Sequence, residues 1–100
     1  MVDFTPPLRD IKFNLRHIAD LDSLIELPGF EHVDADTIDG ALDEAGRFMA
    51  EVIAPTNRAG DEIGCTMVDG QVITPEAFKG AWRKYVDAGW SAVAGPPDYG

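Results

Sequence analysis

Two groups of carboxylates have spacings that could bind a metal ion or transfer protons. The segment Asp34-Ala-Asp-Thr-Ile-Asp-Gly40 alternates oxygen ligands like the start of a calcium loop, but the alternation fails at Ile38, and Ala45 occupies the position of the closing glutamate. Asp39 and Asp43 lie one helical turn apart, as a general acid and base could, yet that function requires burial. We expect helix capping from the first group and a solvated face from the second.

The remaining reactive side chains are isolated in the sequence. Cys65 has no adjacent basic residue to favour its thiolate, which indicates a packing role. Ser91, within Gly-Trp-Ser-Ala-Val, lacks the second glycine of a nucleophile elbow. His17 and His32 match no metal-ligand spacing, so we expect them at the surface or at helix caps.

Three aromatic residues at helical spacing, Phe78, Trp82 and Tyr85, could stack on a flat cofactor. Aromatic residues in such a stripe usually form a core, which is the interpretation we prefer. The glycines form neither Gly-x-Gly-x-x-Gly nor Gly-x-x-x-x-Gly-Lys, so no phosphate-binding loop is encoded. We therefore predict no catalytic, no cofactor-binding and no metal-binding residue in this chain.

Composition limits the classes of partner. The 100 residues carry a net charge of −10, and nine carboxylates without any Lys or Arg lie between Asp20 and Glu44. Because binding to nucleic acid or anionic membrane relies on Lys and Arg, neither partner is expected. The longest uncharged stretch, Ala88–Pro97, is broken by glycine and proline, so no membrane span or signal peptide is predicted. The single cysteine gives no sign of an oxidising compartment, which favours the cytoplasm.

Apolar periodicity favours a mainly α-helical fold with one modest core. A first helix of about three turns is predicted from the stripe Leu8, Ile11, Leu15 and Ile18. The most regular stripe predicts a long helix through Ile38, Ala41, Leu42, Ala45, Phe48, Met49, Val52 and Ile53. Gly46 weakens this helix by about 1 kcal/mol relative to alanine, and the close approach of another helix would explain its presence.

Turn residues divide the second half of the chain. Pro55 would cost roughly 3 kcal/mol inside a continuous helix, so we predict a kink or restart and a short polar helix that ends near Gly64. Asp69-Gly70 between two apolar runs predicts one short β-hairpin near 66–73. Thr74-Pro75-Glu76 supplies a cap, a first-turn proline and an acid for a third main helix, which Gly89 ends.

Three stretches of the sequence match one enzyme family. They are Pro7-Leu-Arg-Asp-Ile-Lys-Phe-Asn-Leu15; Leu27-Pro-Gly-Phe30 with Glu51–Cys65; and Ala88-Gly-Trp90 with Pro97-Asp-Tyr-Gly100. In order and spacing they resemble the N-terminal part of bacterial acyl-CoA dehydrogenases over nearly the whole chain. The subgroup they resemble carries an extra N-terminal segment and includes 3-(methylthio)propionyl-CoA dehydrogenases.

The resemblance implies part of an FAD-dependent oxidoreductase that converts an acyl-CoA substrate to trans-2-enoyl-CoA, passes electrons to an acceptor and forms a homo-oligomer when complete. In this family the glutamate base and the flavin contacts lie in later domains, and no position here matches them. Residues 1–30 are expected to form an N-terminal extension with a short helix. Residues 31–100 are expected to form part of the N-terminal helical domain, truncated at residue 100, which helps to wall the acyl pocket. The fragment alone is predicted to bind no FAD and to be inactive; the alternative is a stand-alone helical interaction module without catalytic function.

Overall fold

The computed structural model describes residues 4–99 and divides the chain into two compact units, Met1–Glu51 and Val52–Gly100. Helix accounts for 59% of the chain, and the described residues also include a two-stranded antiparallel sheet. The predicted all-α fold with one short hairpin is thus confirmed.

The first unit is built from helices joined by tight turns. Its elements are α1 (Leu8–Phe13), a π-helical turn (Asn14–Ile18), α2 (Leu21–Ile25) and α3 (Ala35–Phe48). The predicted first helix is present, but its second half has the wider π spacing, as in the 2.9 Å hydrogen bond from the Ala19 N–H to the Asn14 carbonyl. Asp34 caps α3, since its Oδ1 accepts a 2.7 Å hydrogen bond from the Thr37 N–H. This confirms the capping role expected of the Asp34–Gly40 segment.

The chain at the start of α1 lies close to α3 at Gly46. A Cβ atom added to Gly46 would lie 2.9 Å from Leu8 Cδ1 and 3.1 Å from Pro6 Cγ, both shorter than ordinary carbon contacts. The missing side chain at Gly46 therefore allows the contact, which agrees with the close approach expected to explain this glycine.

The predicted restart at Pro55 is also present. A second π-helical segment (Met49–Ile53) follows α3 in the chain, and α4 (Thr56–Glu62) begins directly after Pro55. The proline takes a helical φ of −60° at a helix start, where its missing N–H leaves no intrahelical bond unmade. The Thr56 hydroxyl donates to the Ile53 carbonyl at 2.7 Å, which stabilises the junction. Gly64, with φ of +67°, follows the end of α4.

The hairpin has the turn that its sequence predicts. β1 (Thr66–Val68) and β2 (Gln71–Ile73) pair antiparallel, with Val68 opposite Gln71. Asp69 and Gly70 both have positive φ, 51° and 78°, as a two-residue type I′ turn requires. Every residue of both strands is exposed.

The last long helix, α5 (Glu76–Asp87), differs from the prediction at its start. Pro75 itself occupies the N-cap position in an extended conformation, and no side chain caps the helix, so the predicted cap from Thr74 is wrong. Its end is as expected, because Gly89 adopts a left-handed φ of +83° before a 3₁₀ turn (Trp90–Ala92).

Burial in the two units is shallow. Among the described residues no large side chain is fully buried, and the buried residues are Leu21 and Gly46 in the first unit and Ala54 and Pro75 in the second. Phe48, in the middle of the most regular stripe, is only half-buried. The prediction of one modest core is therefore wrong, because the helices carry apolar stripes without enough facing surface to cover them.

Two glycines of α3 test the close contact at Gly46. Gly40→Ala is expected to stabilise the first unit by about 0.5–1 kcal/mol, because nothing lies within 4 Å of the added Cβ and alanine is the better helix former. Gly46→Ala is expected to gain nothing or to destabilise, since its Cβ meets Leu8 and Pro6. Urea unfolding followed by circular dichroism measures both; equal stabilisation by the two substitutions would contradict the contact.

Candidate functional site

The isolated reactive residues remain isolated in the structure. Residues 4–99 contain no group of three or more His, Cys, Asp or Glu side chains that could hold a metal ion. Cys65 is exposed, so the expected packing role for its thiol is wrong. His17 and His32 are exposed, as predicted, and the His17 ring lies 4.8 Å from that of Phe13 on the same helix. Ser91 is exposed on the 3₁₀ turn.

The two aspartates of the possible acid–base pair each contact a basic side chain. Arg16 Nη2 lies 2.6 Å from Asp39 Oδ2, and Lys12 Nζ lies 2.5 Å from Asp43 Oδ1. The Asp39 side chain is only 32% exposed, so the expected solvated face is wrong at this position. Each carboxylate faces a cation rather than the other carboxylate, an arrangement that joins helices and does not share a proton.

The two ion pairs have a signal in the spacing of their residues along the sequence. Lys12 and Arg16 are four residues apart, as are Asp39 and Asp43, so each pair lies along one face of its helix. Two helices whose charged residues have the same four-residue spacing can form both ion pairs at once, whether the helices run parallel or antiparallel. The pairing is incomplete, since Arg16 Nε is buried without a hydrogen-bond partner.

Two further carboxylates hold backbone amides. The Thr37 N–H bound to Asp34 lowers the pKa of that carboxyl, with a second contribution from the Thr37 hydroxyl. The pKa of Glu31 is lowered by hydrogen bonds from its own backbone amide and from the Gly29 N–H, the latter 2.9 Å long. Glu31 lies in the turn before α3, and Asp34 caps that helix. The lowered pKa values of both carboxyls therefore come from hydrogen bonds that hold the backbone.

The aromatic stripe of α5 is only partly a core. A Cβ atom on Gly60 of α4 would lie 2.8 Å from Phe78 Cζ, which places Phe78 against α4. Trp82 is 64% exposed, and its ring stacks on Tyr85 with centroids 5.6 Å apart and planes inclined by 26°. The core role expected of the stripe is therefore wrong for Trp82.

In this helical segment Asp34 caps a helix, Glu31 closes a turn, and Asp39 and Asp43 pair with Arg16 and Lys12. Between residues 4 and 99 no helix combines the length and apolarity that crossing a bilayer requires. No family model matches the sequence.

Comparison with known proteins shows the family. The chain is 34% identical to 3-methylmercaptopropionyl-CoA dehydrogenase of Ruegeria pomeroyi over 97% of its own length and 16% of that of the relative. Two butyryl-CoA dehydrogenases of Syntrophomonas wolfei are 35% and 33% identical over 82% and 81% of the chain, and 14% of each relative. The chain belongs to the acyl-CoA dehydrogenase family. It spans 14–16% of the length of these relatives.

Double-mutant cycles test the two ion pairs. The cycle of Lys12→Gln with Asp43→Asn is expected to give a coupling of about 0.5 kcal/mol or less. Asp43 is more exposed than Asp39, and water screens its attraction to Lys12. The cycle of Arg16→Gln with Asp39→Asn is expected to give more, about 1 kcal/mol, since both side chains are only about a third exposed. Urea unfolding of the four variants in each cycle supplies the couplings. Zero coupling for Arg16 and Asp39 would contradict the pairing.

Acid titration tests the cap of α3. Because the pKa of Asp34 is lowered in the folded state, its stabilising contribution is present at neutral pH and is lost as the pH falls through the lowered pKa. Asp34→Asn is the matched control, since asparagine accepts the same hydrogen bond without titrating. The stability of the native chain, relative to this variant, is expected to decrease on acidification. Parallel pH profiles from urea unfolding would contradict the role of the ionised cap.

Proposed function

We propose that this chain is a structural part of an FAD-dependent acyl-CoA dehydrogenase, an enzyme that converts an acyl-CoA to trans-2-enoyl-CoA. The single observation that carries the proposal is the 34% identity to a dehydrogenase over 97% of the chain. In this proposal residues 31–100 form part of the N-terminal helical domain, and residues 1–30 form an extension before it.

Exposed apolar side chains support a structural role within a larger body. In the first unit the large exposed side chains include Phe13, Ile18, Leu24, Leu27 and Phe30, and in the second they include Met67, Val72, Trp82 and Val86. Large apolar side chains exposed in such number often contact other protein or a ligand. We infer that further polypeptide of the same enzyme covers it and that the helices help to wall the acyl pocket without supplying reacting groups.

The described residues do not fit a flavin site. A helix N-terminus binds a pyrophosphate through free amides and its positive dipole end. Asp34 occupies the Thr37 amide at the start of α3, and at the start of α5 the carboxylate of Glu76 places a negative charge in the first turn, where it would repel a pyrophosphate. FAD, which accepts the hydride in this family, and the base that removes the α-proton are therefore assigned to other parts of the enzyme.

The wider context of the enzyme is proposed from the family alone. Its partners are an acyl-CoA, an electron acceptor, the rest of the same polypeptide and further copies of the complete chain. We place the enzyme in the cytoplasm, which agrees with a sequence that has one cysteine.

Flavin content and turnover test the proposed function. The 100-residue chain and the product of the complete reading frame are purified and supplied with FAD, butyryl-CoA and an artificial electron acceptor. We expect flavin binding and enoyl-CoA formation only from the longer product, because the reacting groups lie outside the chain. Turnover by the 100-residue chain alone would overturn the structural role, and a reading frame limited to these residues would favour the stand-alone interaction module.

A further inference from the structure

The chain contains two Asp-Gly dipeptides in different structural settings. They are Asp39-Gly40, preceded by Ile38, and Asp69-Gly70, preceded by Val68. In an Asp-Gly dipeptide the aspartyl side chain reacts readily with the following backbone nitrogen, because glycine has no Cβ atom to hinder the approach. Both dipeptides follow a β-branched residue, so the structure around them is expected to decide which one reacts.

The first dipeptide is held inside α3. Asp39 Oδ2 lies 2.6 Å from Arg16 Nη2, and the 14 residues of the helix fix the backbone on both sides of the dipeptide. Inside an α-helix the N–H of a residue such as Gly40 donates to the carbonyl four residues earlier, which turns it away from the preceding side chain. A reaction between Asp39 and Gly40 therefore requires local unfolding of α3 and loss of the ion pair.

The second dipeptide forms the turn of the hairpin. Asp69 and Gly70 are exposed, and neither has a hydrogen-bond partner among residues 4–99. The two strands have three residues each, and they contact each other but no other described helix or strand. Such a hairpin is only marginally stable, so it opens locally at little cost in free energy. Opening frees the dihedrals of Asp69, whose native φ of 51° lies in a region that residues other than glycine seldom occupy.

We propose that Asp69 is a site of spontaneous isoaspartate formation, a covalent modification of the hairpin turn. The backbone nitrogen of Gly70 attacks Cγ of the Asp69 carboxyl group and displaces its hydroxyl group, which leaves as water with the amide proton. The product is a cyclic succinimide. Water then opens the ring, and cleavage at the Cγ carbonyl restores aspartate, whereas cleavage at the α-carbonyl gives isoaspartate. This chemistry consumes no other reactant and does not depend on the function proposed above.

Isoaspartate changes the hairpin itself. The main chain then runs through the side-chain carbon atoms of residue 69, so the turn gains one methylene group and the free carboxylate takes the former backbone position. A type I′ turn requires two ordinary residues with positive φ between the paired strands. The lengthened connection no longer fits that turn, and the pairing of Val68 with Gln71 is lost because the turn sets the register.

Ageing of the 100-residue chain at neutral pH, followed by digestion with endoproteinase Asp-N, tests the modification. This protease cuts before aspartate but not before isoaspartate. Reaction at residue 69 leaves the peptide 61–86 uncut, and reaction at residue 39 leaves the peptide 36–42 uncut. We expect the first peptide to accumulate at least about tenfold faster, because only residue 39 must leave a helix in order to react. Equal rates, or no reaction at residue 69, would overturn the proposal.

Ageing in urea supplies the matched control. Without folded structure the two dipeptides are expected to react at similar rates, since their local sequences are alike. A preference for residue 69 that persists unchanged in urea would show that sequence alone decides, and would overturn the structural argument.

A variant and a spectroscopic readout complete the test. Asp69→Asn keeps a residue that suits the type I′ turn and forms the same succinimide with loss of ammonia, so faster modification is expected. An Asp69→Asn variant that stays unmodified would overturn the proposal. In the isolated isoaspartyl chain, nuclear Overhauser contacts between Met67 and Val72, which pair across the native hairpin, are expected to disappear. Their persistence would contradict the loss of register.

Discussion

The structure depends on one constraint, which is that its apolar stripes exceed the surface available within the chain to cover them. Leu21, Gly46, Ala54 and Pro75 are the buried residues among those described, and even Phe48, in the most regular stripe, is only half-buried. Burial of apolar area is the main source of folding free energy, at about 25 cal/mol per Å². Helices that leave this area exposed gain little of this stabilisation within the chain. The chain belongs to the acyl-CoA dehydrogenase family and spans 14–16% of the length of the relatives it matches.

The order that each unit does possess comes from a few short-range contacts. In the first unit, the absence of a side chain at Gly46 admits Leu8, and the pairs Lys12–Asp43 and Arg16–Asp39 join the first helix to α3. In the second unit, the absence of a side chain at Gly60 likewise leaves room for the ring of Phe78. Carboxylates that could have formed a metal or proton-transfer site are instead used as caps and ion-pair partners.

The sequence predicted the features that local chemistry decides. The restart at Pro55, the turn at Asp69-Gly70 and the glycine stop of α5 depend on backbone dihedrals of a few neighbouring residues, and all three are present. The sequence did not predict the features that depend on which other element faces a side chain in the fold. Trp82 shares a helical stripe with Phe78, but periodicity cannot say which members of a stripe find a facing element. Cys65 was expected to pack and is exposed for the same reason, and the ion pairs of Asp39 and Asp43 require the first helix to lie against α3.

The heat capacity of unfolding of the 100-residue chain tests the central claim most directly, because it reports the apolar area that folding removes from water. A self-sufficient domain of this length has a value of about 1.2–1.5 kcal/mol/K and a sharp two-state transition. The constraint on burial predicts a value well below this range, a broad transition and strong binding of the dye ANS to the exposed stripes. A sharp transition with the full heat capacity and no dye binding would show that the chain buries its own apolar surface, and would contradict the account.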